Sequence, residues 1–241
     1  MKLFRRNNSK TAVTPSSLSA DESITLMTRD GSINTVFPEP TVQSIRQLIV
    51  QIENRTTTLP ERIGITSAIS KEGVTHIARA LGTTIAHDLG SDVCIIEANW
   101  WAPAHEAPNG LGAIIGGKRN INDVIMGTNL PNLAYIPPGF LNSNERAIAA
   151  RSDMFRRVLD DLNDRFEYLI LDLPAISTST AAIPLASLTD AVCLVVRQGV
   201  TSRNRVTHAL EQLRNLNVVG ITMNQVKTYT PEFLLKLLPV E

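Results

Sequence analysis

The chain has 241 residues, equal numbers of acidic and basic side chains and a formal net charge of zero, with 43% hydrophobic residues. This length and apolar content suit one α/β domain with a real core, and the balanced charge excludes general electrostatic binding to nucleic acid. Two cysteines, Cys94 and Cys193, both inside apolar runs, exclude a disulfide framework and read as reduced core residues. With no apolar run of membrane-spanning length and no leader-like segment, the expected location is cytoplasmic. The short basic start, Met1 to Arg6, reads as a frayed terminus.

Residues 1–38 are rich in Ser, Thr, Asn and Asp with little periodicity and are predicted to be a flexible arm, followed by one domain over 39–241. Val42, Ile45, Leu48, Ile49 and Ile52 recur at helical spacing, predicting a helix over 41–53. Strands and helices then alternate. Strands are predicted at 62–67, 92–98, 132–136, 168–173, 191–197 and 218–223. Helices are predicted at 75–88, 120–126, 143–165 and 202–216, with a short apolar helix over 231–238. Near-continuous apolar strands imply a mostly parallel sheet buried on both faces, and the alternation implies a doubly wound α/β fold. Ligands in such folds bind at the strand C-termini.

The first of those strands runs into Thr66-Ser-Ala-Ile-Ser-Lys71-Glu-Gly73-Val74-Thr75, then a helix. That is the layout of a phosphate-binding loop, in which backbone N–H groups cradle phosphate, a lysine neutralises charge and a hydroxyl holds Mg2+. Gly73 and Thr75 stand where the motif needs them. Val74 stands where the lysine belongs, and Lys71 sits in the turn, where a glycine is expected. Losing one charge-assisted hydrogen bond costs about 1.5–3 kcal/mol of binding. Further on, Tyr168-Leu-Ile-Leu-Asp172-Leu-Pro174 is an apolar strand ending in a carboxylate, the arrangement that supports Mg2+ in nucleotide-hydrolysing domains. A plain strand–turn–helix and a turn-capping aspartate are the bland alternatives. The four histidines, His76, His87, His105 and His208, are scattered and suggest no metal site.

The order of these motifs resembles the bacterial tyrosine kinase family, the cytoplasmic kinase domains that work with membrane polysaccharide co-polymerases, and relatives of the MinD/ParA-like cell-division and partitioning ATPases. The resemblance spans roughly residues 40–228. The family's first loop reads like T-S-x-x-P-G-E-G-K-S-T. Its second motif, D-x-D-x-R, corresponds to Glu97-Ala-Asn99-Trp-Trp101. Leu130-Pro-Asn-Leu133 with Ile136-Pro-Pro-Gly139 matches its P-N-L and P-x-G segments. Asp172 and Pro174 match its Walker B pair, and Val219 to Val226 resembles the strand whose asparagine, here Asn224, reads adenine.

The resemblance implies ATP or ADP with Mg2+, held through Lys71, Gly73, Thr75 and Asn224, with Thr75, Glu97 and Asp172 around the metal. Asp172 and Glu97 are the catalytic remnants. The reactive positions depart from the family: Val74 replaces lysine, and Asn99 replaces an aspartate and cannot act as a base. Of the family's ring-building E-x-x-R-x-x-R only Arg46 remains, which argues against the family ring. Of its tyrosine cluster only Tyr229 remains. The expectation is a catalytically impaired, weakly nucleotide-binding protein that partners a membrane polysaccharide co-polymerase or a related kinase or glycosyltransferase. It would sit at the inner face of the membrane, with homo-oligomers open. The alternatives are an active autokinase with Lys71 in place of the lysine and Tyr229 as acceptor, or a MinD/ParA-like positioning ATPase or adaptor.

Overall fold

A computed structural model of the chain describes residues 23–104 and 107–225. Two short strands open it, β1 (Ile24–Met27) and β2 (Asn34–Phe37), followed by α1 (Glu39–Thr56), β3 (Arg62–Ser67), α2 (Val74–Leu89) and β4 (Val93–Glu97). Next come α3 (Leu111–Ile115), α4 (Ile121–Val124), β5 (Met126–Gly127), β6 (Leu133–Ile136), α5 (Ser143–Ala149) and α6 (Asp153–Asn163). The chain continues with β7 (Tyr168–Asp172), α7 (Ala182–Ala186), β8 (Ala191–Arg197), α8 (Arg203–Gln212) and β9 (Val218–Asn224).

Seven strands form one sheet in the order β5-β6-β4-β7-β3-β8-β9. All neighbours are parallel except β5, which pairs antiparallel with β6 at the edge. The interior strands β4, β7 and β8 are buried almost throughout because helices cover both faces, which is why they read as unbroken apolar runs. On one face α1 and α2 place Ile45, Ile52, Leu81 and Ile85 against Ile63, Ile95 and Ile170. On the other, α6 sets Phe155, Val158 and Leu162 against Leu169 and Leu171. Gly82 lets α2 approach closely, since a Cβ there would lie 2.5 Å from Ile95 Cγ1.

One expectation needs correction. The stretch 23–38 is not an arm: β1 and β2 form an antiparallel hairpin whose Ile24, Leu26, Ile33 and Phe37 are buried. It is tied to the sheet edge by Arg29 N donating to Gly127 O (3.0 Å) and by Asn129, whose amide bonds Met27 N and Thr25 O at 2.8 Å each. Residues 1–22, and the helix expected at 231–238 with Tyr229, lie outside the described residues, as does His105. The stretch 143–165, expected to be mostly helical, holds two helices: the first ends at Ala149, and Ser152 caps the second, accepting from Phe155 N at 3.2 Å. Cys94 and Cys193 are free and buried, and burial pushes both thiols above their ordinary range.

Candidate functional site

The site lies at the C-terminal ends of β3, β4 and β7, where a parallel sheet presents its loops. β3 leads into a tight loop, 68–73, and then into α2. Two residues of that loop have left-handed backbones, Lys71 (φ 68°) and Gly73 (φ 94°). Gly73 has no alternative: a Cβ would sit 2.1 Å from the Asn224 amide nitrogen. Lys71, by contrast, holds a conformation that disfavours side chains.

Glu72 fastens the loop. It is 1% exposed, and its carboxylate accepts from Ile69 N (2.9 Å), from Arg197 N (3.1 Å) and from the Thr201 hydroxyl. Asn224 donates its amide to Glu72 O at 2.9 Å, so β9 clamps the same turn. On the opposite side the loop after β7 joins in, with Ile176 N donating to Ser67 O at 2.8 Å and the Thr66 hydroxyl to Pro174 O at 2.8 Å. The Ser70 and Thr178 hydroxyls are 2.7 Å apart. The result is a cradle of about 230 Å³, lined by Lys71, Gly73, Val74, Thr75, Asn99 and Thr178 among others. Small-molecule sites run to about 300–1,000 Å³, so the enclosed part suits a phosphate-sized group rather than a whole nucleotide.

Below the cradle are two carboxylates. Glu97 and Asp172 are register partners on adjacent strands, each 1% exposed. Thr75 donates its hydroxyl to Asp172 Oδ2 at 2.6 Å, while Asp172 Oδ1 has no hydrogen-bond partner among the described residues. Burial, and then the neighbouring Glu97 charge, push the Asp172 carboxyl up to about 8. The Thr75 hydrogen bond and Arg79 pull the other way. Glu97 is engaged on both oxygens: Oε1 accepts from Ala104 N at 2.6 Å, and Oε2 accepts from the Tyr135 hydroxyl and lies 3.6 Å from Arg79 Nη2. Arg79 also donates to the Tyr135 hydroxyl at 3.0 Å and stands 5.4 Å over its ring.

The residues expected at the site are thus brought together around one loop, but not all in a posture to bind. Thr75 and Asp172, with a free Oδ1, are a donor set that fits Mg2+ beside a phosphate. Glu97 differs in having protein partners on both of its oxygens. The Asn224 amide is spent on the loop backbone, and Asn99 Oδ1 accepts from Ala102 N at 3.2 Å. Val74 begins α2 and lines the cradle without charge. Trp100 is core, 2% exposed, with its indole donating to Pro138 O at 2.7 Å, and Trp101 packs on the same cluster. Glu72, Arg79 and Tyr135 were not expected from sequence. Each acts across a long chain separation, and only Glu72, next to the loop glycine, carried a local signal.

A parallel sheet with a loop-to-helix cradle at its first interior strand defines a P-loop NTPase-like α/β protein. No family model matches the sequence. Its homologues are bacterial tyrosine-protein kinases: it is 28% identical to tyrosine-protein kinase CpsD of Streptococcus agalactiae over 173 residues, 68% of this chain and 75% of that one. The fold overlays the kinase domain of Escherichia coli tyrosine kinase ETK with a TM-score of 0.69 at 22% identity, covering 79% of both chains. It also overlays the septum site-determining protein MinD of Pyrococcus horikoshii, complexed with Mg-ADP, with a TM-score of 0.57 at 16% identity. That match covers 75% of this chain and 78% of MinD.

Proposed function

We propose that this chain is a kinase-fold protein that works by binding rather than by phosphotransfer, as a regulatory or scaffolding partner in bacterial exopolysaccharide or capsule synthesis and export. The observation that carries the reading is Val74 at the first residue of α2, inside the cradle, where a phosphate lysine would stand. Glu97 tied to Arg79 and Tyr135, and an amide at Asn99 where a base would be needed, support it. Removing one preorganised donor to developing charge costs about 10²–10³ in rate. The loop retains its backbone N–H groups and helix N-terminus, so a nucleotide phosphate is held weakly, with Thr75 and Asp172 as the residues that would hold Mg2+. Mg2+ there supplies charge neutralisation of the phosphates. The partner is the cytoplasmic part of a membrane polysaccharide co-polymerase or a kinase or glycosyltransferase of the same system, at the inner membrane face.

Calorimetry with ADP and ATP, with and without Mg2+, and co-purification with a membrane polysaccharide co-polymerase of the same organism test this. Weak or absent heat together with a stable complex is expected. Tight Mg2+-dependent binding without any partner contradicts it. One observation favours a second reading, an autokinase with a rearranged site: Lys71 lines the cradle beside Thr75. Under that reading Lys71→Ala abolishes nucleotide binding and phosphorylation of Tyr229, while under the first it leaves partner binding intact.

A further inference from the structure

Thr75 and Arg79 are four residues apart on α2 and so lie on one face of the helix, over the ends of β4 and β7. Thr75 reaches Asp172, and Arg79 reaches Glu97. The two carboxylates face each other across the strand pair, nearly without solvent. Two buried like charges at neighbouring positions need a counter-charge or a proton. In a metal-dependent site a divalent cation is that counter-charge. Here the guanidinium, 14% exposed, provides it on the Glu97 side of the pair, held by Glu97 Oε2 at 3.6 Å, the Tyr135 hydroxyl at 3.0 Å and the Tyr135 ring. The other Glu97 oxygen accepts from Ala104 N, so both oxygens are already engaged within the protein.

We propose that Arg79 is a resident cation that takes the place of a divalent metal ion at the Glu97–Asp172 pair, so that this pair recruits no divalent metal of its own. The claim concerns the carboxylate pair in the nucleotide-free protein and stands whether or not the chain transfers phosphate. Tyr135 acts as a positioning residue, orienting both Glu97 and Arg79. Arg79→Asn removes the cation and leaves Glu97 Oε2 with the Tyr135 hydroxyl alone, so that Glu97, Asp172 and Thr75 offer an uncompensated oxygen set to Mn2+.

Thermal melting of the full chain in Mn2+ and in chelator, without nucleotide, tests this. The unmodified protein and Arg79→Lys are expected to melt alike in the two buffers. Arg79→Asn is expected to melt higher, or to fold only, in Mn2+, and to bind it about 10–100-fold tighter than the unmodified protein. The double variant Arg79→Asn/Glu97→Gln is expected to lose that response. The proposal is overturned if Arg79→Asn behaves identically in Mn2+ and chelator, whether folded or unfolded in both. It is equally overturned if the double variant keeps the full Mn2+ response, or if Mn2+ raises the melting temperature of the unmodified protein.

Discussion

Asp172 shows how burial sets chemistry at one residue. Its carboxyl is pushed up to about 8 from an ordinary 3.8, so between these values the folded protein holds a proton that the unfolded chain releases. Stability from this group is therefore full below about pH 4 and falls as pH rises toward about 8, by at most about 1.4 kcal/mol per pH unit, then levels. Asp172→Asn should flatten that dependence in urea titrations across this range, and should leave the protein more stable than the unmodified chain at alkaline pH. An unchanged pH slope contradicts the assignment. The strand–loop–helix pattern around Gly73 made this neighbourhood legible in the sequence, because Thr75 and the strand-end aspartate carry local signals. The partners that decide the posture of the site did not. Arg79 is one more polar residue on a helix, and Tyr135 one aromatic in an apolar strand. Only the sheet order brings β6 beside β4 and shows them meeting Glu97.

Among the elements, α1 and α2 are locked by a two-pronged ion pair. Arg46 Nε and Nη2 bond Asp88 at 2.7 and 3.0 Å, and His87 Nδ1 lies 2.7 Å from the same carboxylate. Burial raises the Asp88 carboxyl, but the Arg46 and His87 contacts outweigh it and hold it below the usual range. Its contribution is thus present at neutral pH and is lost as pH falls through that lowered value. Arg46→Ala should cost about 1 kcal/mol at neutral pH and much less in strong acid, read by denaturant unfolding at the two pH values. This pairing gives Arg46 a use inside the domain. Helices such as α2 and strands such as β3 and β8 fall close to their expected bounds, since long periodic or unbroken apolar runs are strong signals. The break between α5 and α6 was readable in principle, because Ser152 is an N-cap residue that starts the second helix.

At the scale of the whole molecule, the hairpin β1–β2 is part of the domain rather than an appendage. Its four-residue strands are too short for periodicity to stand out. The Asp30-Gly31 turn between alternating apolar residues was the available sign. Its backbone continues the edge at β5 through the Thr28–Thr128 bridge, covering an otherwise open sheet edge. Deleting residues 1–38 should therefore lower the melting temperature by several degrees, as removing four buried apolar side chains implies, each worth about 1.5–3 kcal/mol. A truncated chain that melts with the full one would mean the hairpin adds nothing to the core.

The fold and the loop, clamped by Glu72 and Asn224, match those of bacterial tyrosine-protein kinases, and the proposed loss of phosphotransfer rests on Val74 and on Glu97 being engaged by Arg79 and Tyr135. The most direct test is phosphotransfer from ATP in the presence of Mg2+ by the purified full chain, read as phosphotyrosine and released phosphate beside CpsD under the same conditions. The account predicts neither product above background. Transfer at a rate comparable to CpsD would contradict it.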